Sequence, residues 1–255
     1  MIPDIISTFS ANVRAVEKLV DFDRELLGII IERLTDLSRR LKEKQKIDNP
    51  QLNGASLLEF IGTIKTNDAL RIRYQVIFNQ AVVLLVSHFA SCLGDLFRYG
   101  ISQRLATDPG SSLLDEEIKL TFGDLRELNW NLRDAAPDLL IAKKDFTFQD
   151  MGSTHRAFRE YLGVSMERDR GVNNVIATQA CRHVIVHVGA KVTDKMMNQV
   201  SAATPRDIKP KLKVGEILQF SPEEIALIAE NMRQYVAVLG ERVQRALLVT
   251  TSEAR

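Results

Sequence analysis

The sequence predicts an all-α protein, and three long segments support that prediction. Apolar residues recur every three or four positions in residues 5–46, 68–106 and 221–249. This spacing places the apolar side chains of each segment on one face of a helix. Amphipathic helices gain most of their stability by packing those faces together, so we expect a helical bundle.

The length of the chain, 255 residues, is enough for one large domain or for one domain with a helical extension. We expect residues 1–48 to form an N-terminal helical extension that packs on a bundle made by residues 49–255. Lys and Arg total 34 against 33 Asp and Glu, which gives a formal net charge of +1. A nucleic-acid partner would therefore have to be bound by a local basic patch.

Cysteine content and hydropathy favour a cytoplasmic protein. The two cysteines, Cys92 and Cys181, are too few for a disulfide framework and lie in apolar helical segments, so we expect buried thiols in a reducing compartment. The first residues lack the basic region and apolar run of a signal peptide. The strongest apolar run, residues 81–86, is much shorter than a membrane span, so no membrane segment is expected.

Turn residues and capping residues predict where several helices begin and end. Pro50 closes the first helix, because the residue before a proline is disfavoured in helical geometry. Residues 68–106 are expected to form the spine of the bundle, with His88 as a core histidine on its apolar face. Ser221 and Glu224 have the spacing of a capping box, which predicts the start of the last helix.

The middle of the chain is predicted to form short helices. Thr121 is a candidate N-cap, and Pro137 is expected to break a helix. A helix within residues 147–162 contains Arg156 and Arg159. These two side chains form either a solvated charged face or a basic strip that positions phosphates.

Residues 181–191 contain a guanidinium and two imidazoles in an otherwise apolar helix. On a helix that turns about 100° per residue, His183 and His187 lie about 40° apart, whereas Arg182 and His187 lie about 140° apart. Arg182 and His187 can therefore converge only if the helix ends there. Gly189 is suited to end it as a left-handed cap, which would leave His187 in the last turn.

Basic residues follow the predicted end of this helix. Lys191 comes two residues after the glycine, and residues 201–213 form a basic loop that contains two prolines. Prolines restrict regular structure, so this loop is expected to lie on the surface. We expect it to border an RNA path, with Lys191, Arg206, Lys209 and Lys211 as candidate RNA contacts.

The pattern from Arg182 to His187, followed by Gly189, resembles the signature of the HEPN superfamily, an Arg, four to six residues and then a His. Many members have Asn after the Arg, and His183 stands in that place here. Residues 214–221 look like the small hairpin that precedes the last helix of the family. The resemblance implies a HEPN-like helical bundle, here with a long N-terminal helix.

For function, the resemblance implies an endoribonuclease that needs no metal or other cofactor, with Arg182 and His187 as core catalytic residues and His183 assisting. Two protomers of the family usually pair so that both motifs line one cleft, which implies a homodimer. Such domains in bacteria commonly act as toxins or in phage defence, so RNA and an antitoxin or another defence-system partner are expected partners. Relatives often have a Glu where Ala90 stands, and a non-catalytic module that binds RNA, a nucleotide or a protein is the alternative.

Three further interpretations compete for the same residues. His183 and His187 have the one-turn spacing of zinc ligands, but no Glu follows His183 as in the His-Glu-x-x-His metalloproteases, and a third ligand would have to come from elsewhere. Cys181, beside Arg182, is a candidate nucleophile in an apolar context. The histidines could also be structural, with Arg182 as an ordinary surface residue.

Overall fold

The computed structural model describes residues 1–45, 54–66, 75–107 and 112–253. These residues are predominantly helical and form no β-strand, which confirms the all-α prediction. In chain order the α-helices are α1 (Ile2–Gln45), α2 (Ala55–Thr66), α3 (Gln75–Thr107), α4 (Phe122–Glu127), α5 (Leu132–Lys143), α6 (Met151–Leu162), α7 (Arg170–His187), α8 (Asp194–Ser201) and α9 (Pro222–Glu253), with a short 3₁₀ helix at Ser112–Asp115.

Helix α3 is the spine of the bundle, and α1, α7 and α9 pack around it. Phe89 and Phe97 on α3 are fully buried, whereas His88 is only half-buried. A Cβ atom at Gly100 would lie 2.6 Å from Cδ1 of Leu162, so this glycine allows α6 to approach closely. Among the described helices, α3 alone is long and apolar enough to cross a membrane. Core helices of soluble proteins have the same composition.

The first half of α1 belongs to the same core as α3 and α9. Phe9 is 2% exposed, and its ring centroid lies 6.2 Å from that of Phe89. The second half of α1 packs against α2. The predicted boundary between residues 48 and 49, with the break at Pro50, lies outside the described residues. Large apolar side chains remain exposed on this part of α1 and on α2, namely Phe22, Leu26, Ile29, Leu57 and Phe60.

Helix α5 continues through Pro137, so the predicted break at that residue is wrong. A proline in the sixth helical position removes the hydrogen bond to the carbonyl of the residue four positions earlier. Pro137 and Leu140 are both buried in the bundle, and α5 packs against α3. Packing of this apolar face keeps the helix intact despite the missing bond.

Both predicted caps, at Thr121 and Ser221, are present, and a third cap lies at Thr193. The Thr121 hydroxyl accepts from the Asp124 N–H at 3.1 Å, and the Asp124 carboxylate accepts from the Thr121 N–H at 2.8 Å. Ser221 and Glu224 make the same reciprocal pair at the start of α9, with distances of 3.2 and 3.1 Å. Thr193 caps α8. Such caps depend on residues three positions apart in the sequence, so they determine helix starts without any tertiary contact.

The segment before α9 pairs with the turn after α7. Lys191 and Ile217 form one isolated antiparallel bridge. Beside it, the Leu218 N–H donates to the Ala190 carbonyl at 2.9 Å. Leu218 and Val192 are 2% and 1% exposed. Burial of these two apolar side chains fixes the pairing between segments that lie far apart in the chain.

Candidate functional site

The candidate site lies on the last turns of α7. This helix ends at His187, and Gly189 has a φ of 61°. The N–H groups of Val188 and Ala190 both donate to the Val184 carbonyl, at 3.0 and 2.9 Å. The prediction of a left-handed glycine at this helix end, with His187 in the last turn, is confirmed.

Two neighbouring asparagines inside α7 anchor it to the rest of the molecule. Asn174 is 2% exposed, and its Oδ1 accepts from the backbone N–H groups of Asp207 and Ile208 at 2.7 and 3.0 Å. Its Nδ2 donates to Oδ1 of Asn231 on α9 at 2.7 Å. This anchor was not predicted from the sequence. The feature that indicates it is the pair Asn173-Asn174 between apolar residues of the helix, because buried amides need hydrogen-bond partners.

Arg182 and His183 line a pocket of about 380 Å³ between α7 and the start of α6. Within the part of the chain that the structure describes, two buried nitrogen atoms on α7, Nε of Arg182 and Nε2 of Gln179, have no hydrogen-bond partner. Buried donors without acceptors are uncommon, and they favour a bound partner such as water or a ligand. The other residues that line the pocket are Thr147, Gln149, Asp150, Ile176, Ala180 and Gln199.

The two histidines of the motif contact each other. The ring centroids of His183 and His187 are 4.8 Å apart, with 50° between the ring planes. His183 is half-buried at the pocket, whereas His187 is exposed. Partial burial lowers the pKa of His183 below its ordinary value of 6.5, and the positive charges of His187, Lys195 and Arg182 lower this pKa further. His183 is therefore mostly neutral at pH 7.

Arg182 and His187 do not converge within one chain. The helix stays regular through His187, so the two side chains leave the helix about 140° apart. Arg182 lines the pocket, whereas His187 lies outside it. His187 contacts His183, which also lines the pocket. Around the end of α7 the order is therefore the guanidinium of Arg182, the mostly neutral imidazole of His183 and the exposed imidazole of His187. A single protomer thus places Arg182 and His183 at the pocket and His187 outside it.

Arg206 is partly occupied within the protein, and its binding to RNA stays a prediction. Its guanidinium donates to three backbone carbonyls, those of Val200, Ala203 and Lys209, at 2.9, 2.8 and 3.1 Å. These bonds close the loop after α8. The carbonyls of an irregular loop need donors, and Arg206 provides them, so its role is structural.

Lys209 is likewise occupied within the protein. Its Nζ forms an ion pair with the Glu224 carboxylate at 2.6 Å and also donates to the Gln219 carbonyl. The ammonium lies 4.5 Å from the centroid of the Phe220 ring. With its side chain only 15% exposed, Lys209 stabilises the start of α9. Its binding to RNA stays a prediction.

The other predicted RNA contacts are on the surface. Lys191, Lys211 and Arg159 are exposed. Arg156 is exposed as well, and its guanidinium lies 5.2 Å from the centroid of the Phe146 ring. Their binding to RNA stays a prediction. Lys195, which the sequence analysis did not select, adds positive charge near His183.

The competing chemistries find little support. Cys181 is fully buried, and burial raises the pKa of its thiol to about 12, so the thiol is not a nucleophile near neutral pH. Within the described ranges, no group of three His, Cys, Asp or Glu side chains is placed to hold a metal ion. His183 and His187 therefore have no third zinc ligand in that part of the chain.

His155 on α6, the helix before α7 in the chain, is a further titratable group that is separate from the pocket. Its ring stacks on Tyr235 of α9, with centroids 6.2 Å apart and 14° between the planes. Burial lowers the pKa of His155, and the positive charge of Arg168 lowers it further. His155 belongs to the packing between α6 and α9 and does not line the pocket.

Comparison with other proteins finds no matching family model, no similar curated protein and no similar solved structure.

Proposed function

We propose that this protein is a metal-independent endoribonuclease of HEPN type that acts in the cytoplasm. The observation that supports the proposal is the presence of Arg182, His183 and His187 at an accessible helix end. They lie beside a pocket with unpartnered donors. A guanidinium and two imidazoles are the groups that RNA cleavage by the 2′-hydroxyl requires when no metal takes part.

Each side chain has a chemical role in this proposal. His183 is suited to be the base, because its lowered pKa leaves the ring neutral and able to take the proton of the 2′-hydroxyl. His187 donates a proton to the leaving 5′-oxygen. Arg182 binds the phosphate through its planar fork and stabilises the negative charge that develops at phosphorus. The products are a 2′,3′-cyclic phosphate and a free 5′-hydroxyl.

A second copy of the chain is part of the proposal. Exposed apolar side chains surround the end of α7, namely Val186, Val188, Val214 and Ile217. The bridge between Lys191 and Ile217 joins the two segments that contain them. Clusters of exposed apolar side chains are typical of protein interfaces. Pairing through this surface would bring the His187 of each protomer toward the partner's motif.

The second candidate function is a HEPN-like module that binds RNA, a nucleotide or a protein without cleavage. Ala90 favours it, because this half-buried residue on α3 has no titratable group where relatives often have a Glu. Either function agrees with a role in toxicity or phage defence that is controlled by an antitoxin or another partner.

Cleavage of total RNA in EDTA distinguishes the two functions. We expect the wild-type protein to cleave and His187→Ala to be at least about 100-fold slower, because one proton-transfer group is lost. His187 is exposed, so the free energy of unfolding should change by less than about 1 kcal/mol. Arg182→Lys should also be strongly impaired, because an ammonium does not reproduce the bidentate grip on phosphate.

The matched control is His88→Ala, which removes a half-buried histidine of α3 away from the motif. It should cleave at the wild-type rate. If the wild-type protein binds RNA but does not cleave it, or if His187→Ala and Arg182→Lys cleave normally, the endoribonuclease proposal fails and the binding module takes its place.

A further inference from the structure

The pocket between α6 and α7 has a pattern of hydrogen-bonding groups that the cleavage chemistry does not use. Gln179 is 8% exposed, and its Oε1 accepts from the Met151 N–H at 3.1 Å. Because an N–H can donate only to the oxygen, the orientation of the amide is fixed and Nε2 is the atom left over. Within the described residues this nitrogen has no partner. Gln179 lines the pocket, so this buried nitrogen is a fixed donor beside the pocket that needs an acceptor.

An acceptor lies across the pocket from α7, at the start of α6. Asp150 caps α6, where its Oδ2 accepts from the Ser153 N–H at 2.7 Å. A carboxylate has about four acceptor sites, and the cap uses one of them. Asp150 is exposed, and among the described residues its carboxylate accepts no second hydrogen bond, so the remaining sites can accept from a ligand. The pocket thus presents a donor on α7 and a carboxylate on α6, with Arg182 at its wall.

A phosphate does not match this combination, because Asp150 would repel it. A nucleobase does match, since it has both donors and acceptors on one edge, and proteins read unpaired RNA bases on that edge. The volume of about 380 Å³ also falls within the range of roughly 300–1,000 Å³ typical of small-molecule pockets.

Guanine is the base that fits. Its N1–H and N2–H donors are adjacent, so both can point at one carboxylate, while its O6 accepts from a donor beside them. Adenine presents an unprotonated N1 at the same place and would face the carboxylate with a lone pair. Cytosine and uracil lack two adjacent donors on this edge.

We infer that this pocket binds a guanine base of the RNA, with Asp150 accepting from N1–H and N2–H and Nε2 of Gln179 donating to O6. This inference rests on the proposed function, because Arg182 then links the guanine pocket to the phosphate that is cleaved. It makes the protein an endoribonuclease that prefers a guanosine next to the scissile bond, and Asp150 is the residue that determines this specificity.

Binding of single nucleotides to the full-length protein tests the inference without any need for cleavage. The probes are GMP, IMP and AMP, measured by calorimetry at pH 7 in EDTA. We expect GMP to bind at least about 10-fold more tightly than AMP, because a site built for hydrogen bonds rejects an analogue that leaves them unpaired. IMP lacks the N2 amino group and should bind with intermediate affinity.

The variant Asp150→Asn keeps a good helix cap, because Asn and Asp are about equal at that position. Its amide nitrogen would face the N1–H of guanine, so the preference for GMP over AMP should disappear. Asp169→Asn is the matched control. Asp169 caps α7 through the Val172 N–H at 2.8 Å and does not line the pocket, so the preference should remain.

Equal affinity for GMP and AMP, no binding of any of the three, or a preference that survives in Asp150→Asn would each overturn the inference. The wild-type result stands even if a variant does not fold. RNA cleavage without a preference for GMP overturns the guanine pocket and leaves the proposed chemistry intact. A preference for GMP in a protein that does not cleave RNA supports the pocket while the proposed chemistry fails.

Discussion

Two histidines of this protein have a pKa below the ordinary value of 6.5, and in both the main cause is burial. His155 lies between α6 and α9 with its Nε2 unpartnered among the described residues, and His183 lies at the pocket. A lowered pKa means that the folded state binds protons less readily than the unfolded state. As the pH falls through 6.5, the unfolded chain is protonated first, so stability is lost.

We therefore expect the free energy of unfolding to decrease as the pH is lowered from 7 to about 5.5, above the range in which most carboxylates titrate. His155→Gln removes one of the two groups and should make this slope shallower, whatever its effect on absolute stability. Urea unfolding at several pH values measures the slope. A slope that is the same in wild type and His155→Gln would contradict the assignment of His155.

At the residue scale, the sequence predicted the features that depend on neighbours along the chain. The left-handed Gly189 and the position of His187 in the last turn follow from local geometry. The roles of Arg206 and Lys209 did not follow, because their partners are carbonyls and a carboxylate that only the folded loop brings within reach. From sequence, such a cation is indistinguishable from one that binds a ligand.

At the element scale, α7 is held in place by hydrogen bonds as well as by apolar packing. Asn174→Ala would leave the N–H groups of Asp207 and Ile208 without their acceptor. Each unsatisfied buried group costs about 1–3 kcal/mol, so we expect a loss of roughly 2–4 kcal/mol in the free energy of unfolding. Urea denaturation measures this loss. Asn198→Ala on the exposed face of α8 is the control and should change stability by less than about 0.5 kcal/mol.

The elements themselves were largely predictable, since long amphipathic segments and capping pairs are local signals. One wrong prediction, the break at Pro137, and one pairing that the sequence did not predict both depend on contacts between residues far apart in the chain. Pro137 stays in α5 because the helix is buried against the bundle, and Ile217 pairs with Lys191 because the adjacent apolar side chains enter the core there. Local propensity is a weak guide wherever tertiary packing opposes it.

At the scale of the whole molecule, two of the exposed apolar surfaces on the described residues are suited to join two copies of the chain. One surrounds the candidate site and includes Ile217, which is 54% exposed. The other lies on the second half of α1 and on α2 and includes Phe60, which is 61% exposed. Pairing through the first surface would place the two motifs in one cleft. A two-fold dimer uses the same patch on both protomers, so one substitution changes the interface twice.

We expect the wild-type protein to sediment as a dimer at micromolar concentration, and Ile217→Glu to shift it toward the monomer and to reduce RNA cleavage in parallel. Two carboxylates placed in a shared apolar interface lose solvation and repel each other, which accounts for the shift. Phe60→Glu adds the same charge to the α1 and α2 surface and should change neither property. Sedimentation velocity and a cleavage assay on the same samples measure both effects. A monomeric protein that cleaves RNA, or a dimer that Phe60→Glu dissociates and Ile217→Glu does not, would contradict a cleft shared by the two motifs.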